Sequence, residues 1–226
     1  MSDVVQQPVE RGESRSSVVF ASSCLELRRI LNLNANVCVW RRELATSLET
    51  LLEQHSEPVL GSLSGVATGE AIQSLVQGLP AGQARDALED DITQLIDAYV
   101  AIADCSEVVV SLQTVSSDRC RKFHADYKPL RLVCTYLGPG TEWACDTQVN
   151  RAHLGCANDC VESSNDQIVP NELAVQRARA GDVVFLKGEL YPNNLGHGAV
   201  HRSPTIAHLG RRRLVLTIDA QPAGEA

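Results

Sequence analysis

At Glu107 the apolar period of the chain changes, and that change limits what it can fold into. Upstream, over 83–103, Ala87, Leu88, Ile92, Leu95, Ile96 and Tyr99 recur every three to four positions. That is the spacing of an amphipathic helix. Downstream, Val108-Val109-Val110-Ser111-Leu112-Gln113-Thr114-Val115 is rich in β-formers. From there to Asp219 the pattern is short apolar runs separated by turns. The boundary falls near residue 105, with helices before it and a β-core after it, so the fold class is α+β. An open β-core needs its outer sheet covered, so the two parts are expected to pack as one unit.

The first part divides further. Residues 1–17 are polar, broken by Pro8 and Gly12, and read as a disordered tail. The segment 18–105 reads as a helical N-terminal part. A short helix is expected over 24–31 behind Ser22 or Ser23, and a short strand over 37–40. A further helix is expected over 41–55, with Leu44, Leu48, Leu51 and Leu52 on one stripe, and another over 70–79. Gly61, Gly65 and Gly69 read as breaks. The acidic run Glu89-Asp90-Asp91 reads as a solvated helix face. The second part, 106–226, is the β-core, with a Cys-containing insert at 145–171.

Composition excludes some function classes. The chain has 226 residues and a formal charge of −8, which argues against a broad phosphate-binding surface and so against nucleic acid as a partner. No run of eighteen apolar residues is present, so no membrane span is expected. The first residues lack the basic-then-apolar pattern of a secretory signal, and the eight cysteines then read as reduced thiols in a cytoplasmic protein.

The chemistry-bearing stretch is His124-Ala125-Asp126, set before the β-rich run 130–137. On extended backbone, residues i and i+2 project from one face, so an imidazole and a carboxylate are offered to one ion. His201, 77 residues downstream in Gly196-His197-Gly198-Ala199-Val200-His201, is the preferred third ligand, with His197 its competitor. Two histidines and one carboxylate with open positions form the facial triad of non-haem Fe(II) oxygenases. Within the insert, Cys145, His153, Cys156 and Cys160 are zinc-ligand types, and a second, zinc-binding site there is a further expectation. The insert also has the length of a lid.

The order of the pieces resembles the 2-oxoglutarate/Fe(II)-dependent dioxygenase superfamily. They run His124-x-Asp126, a strand, the Gly138-Pro139-Gly140 turn, the run 181–186, His201, and a last strand opened by Arg211-Arg212-Arg213. That resemblance implies a cupin-like double-stranded β-helix, or jelly roll, covered by the N-terminal helical layer. It also implies a small-molecule cosubstrate, 2-oxoglutarate, whose far carboxylate pairs with a basic residue some ten positions after the distal histidine. Arg213 or Arg212 would supply that planar fork, and Thr135 and Tyr136 would supply hydroxyls. Lys187 is a further anion contact, and Trp143 is read as packing.

The span from Trp40 to Asp219 is also similar to the bacterial family known as domain of unknown function 1826. The likeness rests on Phe123-His124-x-Asp126, on Arg131-Leu132-x-x-Thr135-Tyr136-x-Gly138-Pro139-Gly140-Thr141-x-Trp143, on Gly181-Asp182-Val183-Val184, on Lys187-Gly188, on His201-Arg202-Ser203-Pro204 and on Arg212-Arg213-Leu214. The family implies an association with bacterial metal homeostasis. The expected function is an Fe(II)- and 2-oxoglutarate-dependent dioxygenase of unknown prime substrate. The alternatives are a non-catalytic zinc-binding protein and a metal-free binder of a small acid or sugar.

Overall fold

A computed structural model describes residues 17–55, 57–156 and 160–222. The tail expected over 1–17 lies outside them except for Ser17, which opens a strand. The fold is mixed α/β, organised on one large sheet. Its central strands are the long apolar runs of the sequence: β4 (Val108–Val115), β5 (Leu130–Leu137), β8 (Val183–Lys187) and β10 (Arg213–Ala220). The N-terminal part adds β1 (Ser17–Ala21), β2 (Ala35–Trp40) and β3 (Leu60–Gly65). The order across the sheet is β1-β2-β8-β5-β10-β4-β3. Only the β1–β2 pair is parallel. A smaller sheet runs β7-β6-β9, from β6 (Glu142–Trp143), β7 (Gln176–Arg177) and β9 (His201–Arg202).

Strand alternation sorts the large sheet into two faces. Leu214, Leu216 and Ile218 of β10 share one core with Leu130, Leu132, Cys134 and Tyr136 of β5 and with Val183 and Phe185 of β8. Three helices close that face: α1 (Thr46–Gln54), α2 (Gly69–Val76) and α3 (Gln83–Ala103). They contribute Leu48, Leu52, Ile72, Leu75, Leu88, Ile92 and Leu95 to the same core, and Leu27 and Ile30 join from a 3-10 turn at Cys24–Leu31. Tyr99 of α3 ties the layers together. Its hydroxyl donates to the Leu130 carbonyl at 2.9 Å and accepts from the Ala220 amide at 2.7 Å. The opposite face of the sheet carries Val37, Val39, Val133, Val184 and Leu186, packed on Trp143, Ala178 and Ala199 around the small sheet. With both faces covered, β8 is buried throughout, which is why it reads as an unbroken apolar run.

The segment 18–105, expected to be a helical part with one short strand over 37–40, therefore carries that strand as β2 and two more, β1 (from Ser17) and β3. Gly61 was read as a break, yet it sits inside β3. A Cβ there would lie 2.5 Å from the carbonyl oxygen of Leu75, so glycine marks the close crossing of α2 over the strand. Asp91 is corrected as well. It is mostly buried, held by Arg42 and by the Tyr136 hydroxyl at 2.6 Å. No described helix is long and apolar enough to cross a membrane.

Candidate metal centre

His124 does not lie on a strand that continues into β5. It pairs instead with His201, each backbone amide donating to the other's carbonyl, at 3.0 and 2.9 Å. This extends the small sheet by one rung beyond β9 and sets the two imidazoles against each other, ring centres 4.5 Å apart. Asp126 follows in the loop before β5. The chain there is pinned by the Glu189 amide, which donates to the Asp126 carbonyl at 2.8 Å. Gly188 is needed for this approach. A Cβ on it would lie 2.6 Å from the Asp126 carbonyl oxygen and closer still to that of Lys128.

The ligand atoms converge. Asp126 Oδ1 is 3.8 Å from His124 Nε2, and Oδ2 is 3.5 Å from His201 Nε2. One ligand atom from each residue falls within 4.8 Å of the other two. Each Nδ1 faces a backbone carbonyl, Lys122 for His124 at 2.8 Å and Ala199 for His201 at 2.9 Å. A carbonyl only accepts, so each Nδ1 carries the proton and each Nε2 turns a lone pair toward the shared point. Burial, with the neighbouring His124, holds His201 below the usual imidazole range, which favours the neutral donor.

Two residues missed in the sequence support the cluster. Arg131 of β5 donates from Nη1 to Asp126 Oδ2 at 2.9 Å and grips Asp219 with Nε and Nη2, both at 2.9 Å. Lys128 adds a bond to Asp219 at 2.6 Å. The signal was strand parity: Arg131, Val133 and Thr135 share a face of β5, and Arg213, Val215, Thr217 and Asp219 share one of β10. Asn165, in helix α4 (Val161–Ile168) of the insert, is the second. Its side chain accepts from the Phe123 amide at 2.8 Å and donates to the Arg121 carbonyl at 2.9 Å, which fixes the run leading into His124.

The other expected site residues divide. Arg213 is 2% exposed. It donates to the Pro139 carbonyl at 2.7 Å and to Thr135 Oγ1 at 3.3 Å, on the same sheet face as Arg131. Burial pushes it down to about 10, with Glu142 opposing. A cavity of about 330 Å³ opens beside it, lined by Ser111, Arg119, Cys120, Ser203 and Thr217 among others. The Ser203 amide donates to the Cys120 carbonyl at 2.9 Å, two residues after His201 and four before His124. Two lining residues of the cavity, Cys120 and Ser203, thus sit on the chain segments that lead to His124 and away from His201.

Tyr136 and Arg212 are corrections. Tyr136 points into the helical side, to Asp91. Arg212 turns to the carbonyls at the end of α1, those of Leu52, Glu53 and His55. Both follow from alternation, since neighbours in a strand face opposite ways. Lys187 likewise faces the helical side, donating to the Asn32 carbonyl at 2.7 Å with its Nζ 4.5 Å from the Tyr191 ring centre. The four zinc-type residues of the insert do not converge. Cys145 accepts from Gln176, Cys156 donates to the Ala152 carbonyl, and Cys160 donates to Glu162. Among the described residues the ligand cluster is His124, Asp126 and His201. His197 stays outside that cluster, its carbonyl accepting from Asn36. Trp143 is fully buried between the sheets.

No curated protein matches the chain in sequence. Two of the solved structures that it resembles in fold are plant dioxygenases. The dioxygenase for auxin oxidation from rice aligns with a TM-score of 0.52 at 10% identity, over 89% of this chain and 81% of that one. Dioxygenase for auxin oxidation 1 from Arabidopsis thaliana, solved as a binary complex with 2-oxoglutarate, aligns with a TM-score of 0.50 at 11% identity, over 92% and 93%. At such identity the likeness is one of fold. The profile of the family described as "Protein of unknown function (DUF1826)" matches residues 21–219, and the chain belongs to that family.

Proposed function

We propose that the protein is an Fe(II)- and 2-oxoglutarate-dependent dioxygenase, built on a double-stranded β-helix with a covering helical layer. The carrying observation is the donor set: two imidazole Nε2 atoms and one carboxylate aimed at a common point, each Nδ1 tied to a backbone carbonyl. Two nitrogens and one oxygen, with the remaining directions open, suit a ferrous ion that must also accept a chelating cosubstrate. A structure of similar fold, solved with 2-oxoglutarate, supports the same choice.

In this reading His124, Asp126 and His201 would hold the ion. Bound there with 2-oxoglutarate, it would supply oxidative decarboxylation coupled to hydroxylation of a C–H bond in a second substrate. Arg131 fixes the rotation of the Asp126 carboxylate by taking Oδ2. Arg213, with Thr135 beside it, meets the far carboxylate at the buried end of the cavity, where water is excluded and a charged hydrogen bond is strong. The helical part and the β-part act as one unit divided near residue 105. A cytoplasmic location is proposed on the eight cysteines, all of them free thiols.

The test is succinate formation from 2-oxoglutarate by the full chain with Fe(II) under air. Slow turnover without prime substrate, lost in Asp126→Ala with circular dichroism unchanged, is expected. Succinate at the same rate in Asp126→Ala would exclude the site.

A further inference from the structure

The cavity beside Arg213 has a chemical bias. None of its lining residues is acidic, in a chain whose formal charge is −8. Two are arginines, and Ser111, Thr114, Ser116, Ser117, Ser203 and Thr217 bring hydroxyls. Its volume is about 330 Å³, at the lower end of the ~300–1,000 Å³ of small-molecule sites. A five-carbon diacid at Arg213 leaves part of that space for another ligand.

Arg119 stands on this wall, and it differs from the cations around it. Arg121 pairs with Glu162 at 2.5 Å, and Lys122 donates to the Cys156 carbonyl at 2.6 Å. Lys128 and Arg131 hold Asp219. Arg151 holds Asp146, and Arg202 holds Glu142. The Arg119 guanidinium has no acceptor among the described residues, although Asp118 is adjacent. Asp118 is committed elsewhere, its Oδ1 accepting the amides of Ile206 at 2.7 Å and Ala207 at 2.9 Å. That pair of bonds moors the loop that carries Arg119 at the cavity.

Building on the dioxygenase reading, we infer that Arg119 is a specificity residue for the prime substrate, which carries an anionic group, a carboxylate or a phosphate, seated between Arg119 and the hydroxyl-lined wall. A planar guanidinium with free donors, beside hydroxyls and without a competing acid, is built for such a group. Arg213 is the buried anchor for the cosubstrate, and Arg119 is the outer anchor for the substrate.

The full chain, loaded with Mn(II) as a redox-inert ion and saturated with 2-oxoglutarate, would be titrated calorimetrically with inorganic phosphate in one arm and acetate in the other. Binding in at least one arm is expected, and the stronger arm names the group. Arg119→Gln should weaken it about ten-fold while the 2-oxoglutarate affinity stays within two-fold. Arg119 is exposed and its side chain bonds nothing among the described residues, so this variant keeps the fold. Arg119→Lys should recover part of the loss. Binding unchanged in Arg119→Gln, binding in neither arm, or displacement of 2-oxoglutarate by phosphate would each overturn the inference. Failure of 2-oxoglutarate itself to bind would instead overturn the dioxygenase reading beneath it.

Discussion

Arg131 donates to Asp126 Oδ2 at 2.9 Å, so the carboxylate of the His-Asp-His cluster is held by a guanidinium on a central strand. The same guanidinium closes a two-bond fork on Asp219, whose side chain is 7% exposed. Removing Arg131 therefore leaves two largely buried carboxylates short of their counter-charge. Arg131→Met is expected to lose about 3 kcal/mol of stability in denaturant unfolding. Its Co(II) affinity should also fall about ten-fold or more, because Asp126 is no longer oriented. Arg131→Lys keeps a charge without the fork and should fall between the two.

Arg213 and Arg212 are neighbours with opposite fates. Arg213→Met should weaken 2-oxoglutarate binding about a hundred-fold, measured by calorimetry on the Mn(II)-loaded protein, since a desolvated charged hydrogen bond is lost. Arg212→Met should leave that affinity unchanged. It should instead cost about 1 kcal/mol in unfolding, because the carbonyls at the end of α1 lose their donor.

Lys187 makes stability depend on pH. Burial pushes its ammonium down from 10.5 to about 8. Between those values the unfolded chain binds the proton more tightly than the folded one, so stability rises with pH across the window. The penalty is complete below pH 8. Lys187→Met removes this contribution. The difference in unfolding free energy, wild type minus variant, should therefore shift toward wild type from pH 8 to pH 10. A difference flat with pH would contradict the burial of this charge.

The period change at Glu107 and the stripe over 83–103 were legible because each is repeated over many residues, and packing agrees with the repeat. The same holds for β5 and β8, whose apolar runs reflect cover on both faces, and for β4 and β10, whose alternating apolar residues face the helical core. Local signals were weaker where one residue answers to a distant partner. Gly61 reads as a break until Leu75 of α2 is seen against it. Asp91 reads as solvated until Arg42 and Tyr136 arrive from elsewhere in the chain. In the site, His124, Asp126 and His201 were visible as residue types at a spacing, but Arg131 and Asn165 act through contacts with no sequence motif. Tyr136 and Arg212 were placed on the wrong face because the face of a strand is set by its register, and a shift of one residue reverses it.

The central claim is that His124, Asp126 and His201 hold Fe(II) with room for 2-oxoglutarate. The most direct measurement is an anaerobic titration of the apo-protein with Fe(II) and then 2-oxoglutarate, read by the weak visible charge-transfer absorption of a chelated keto acid. The account predicts a band that requires both additions and is absent in His124→Ala. No band in the wild type, with zinc held tightly in its place, would contradict it.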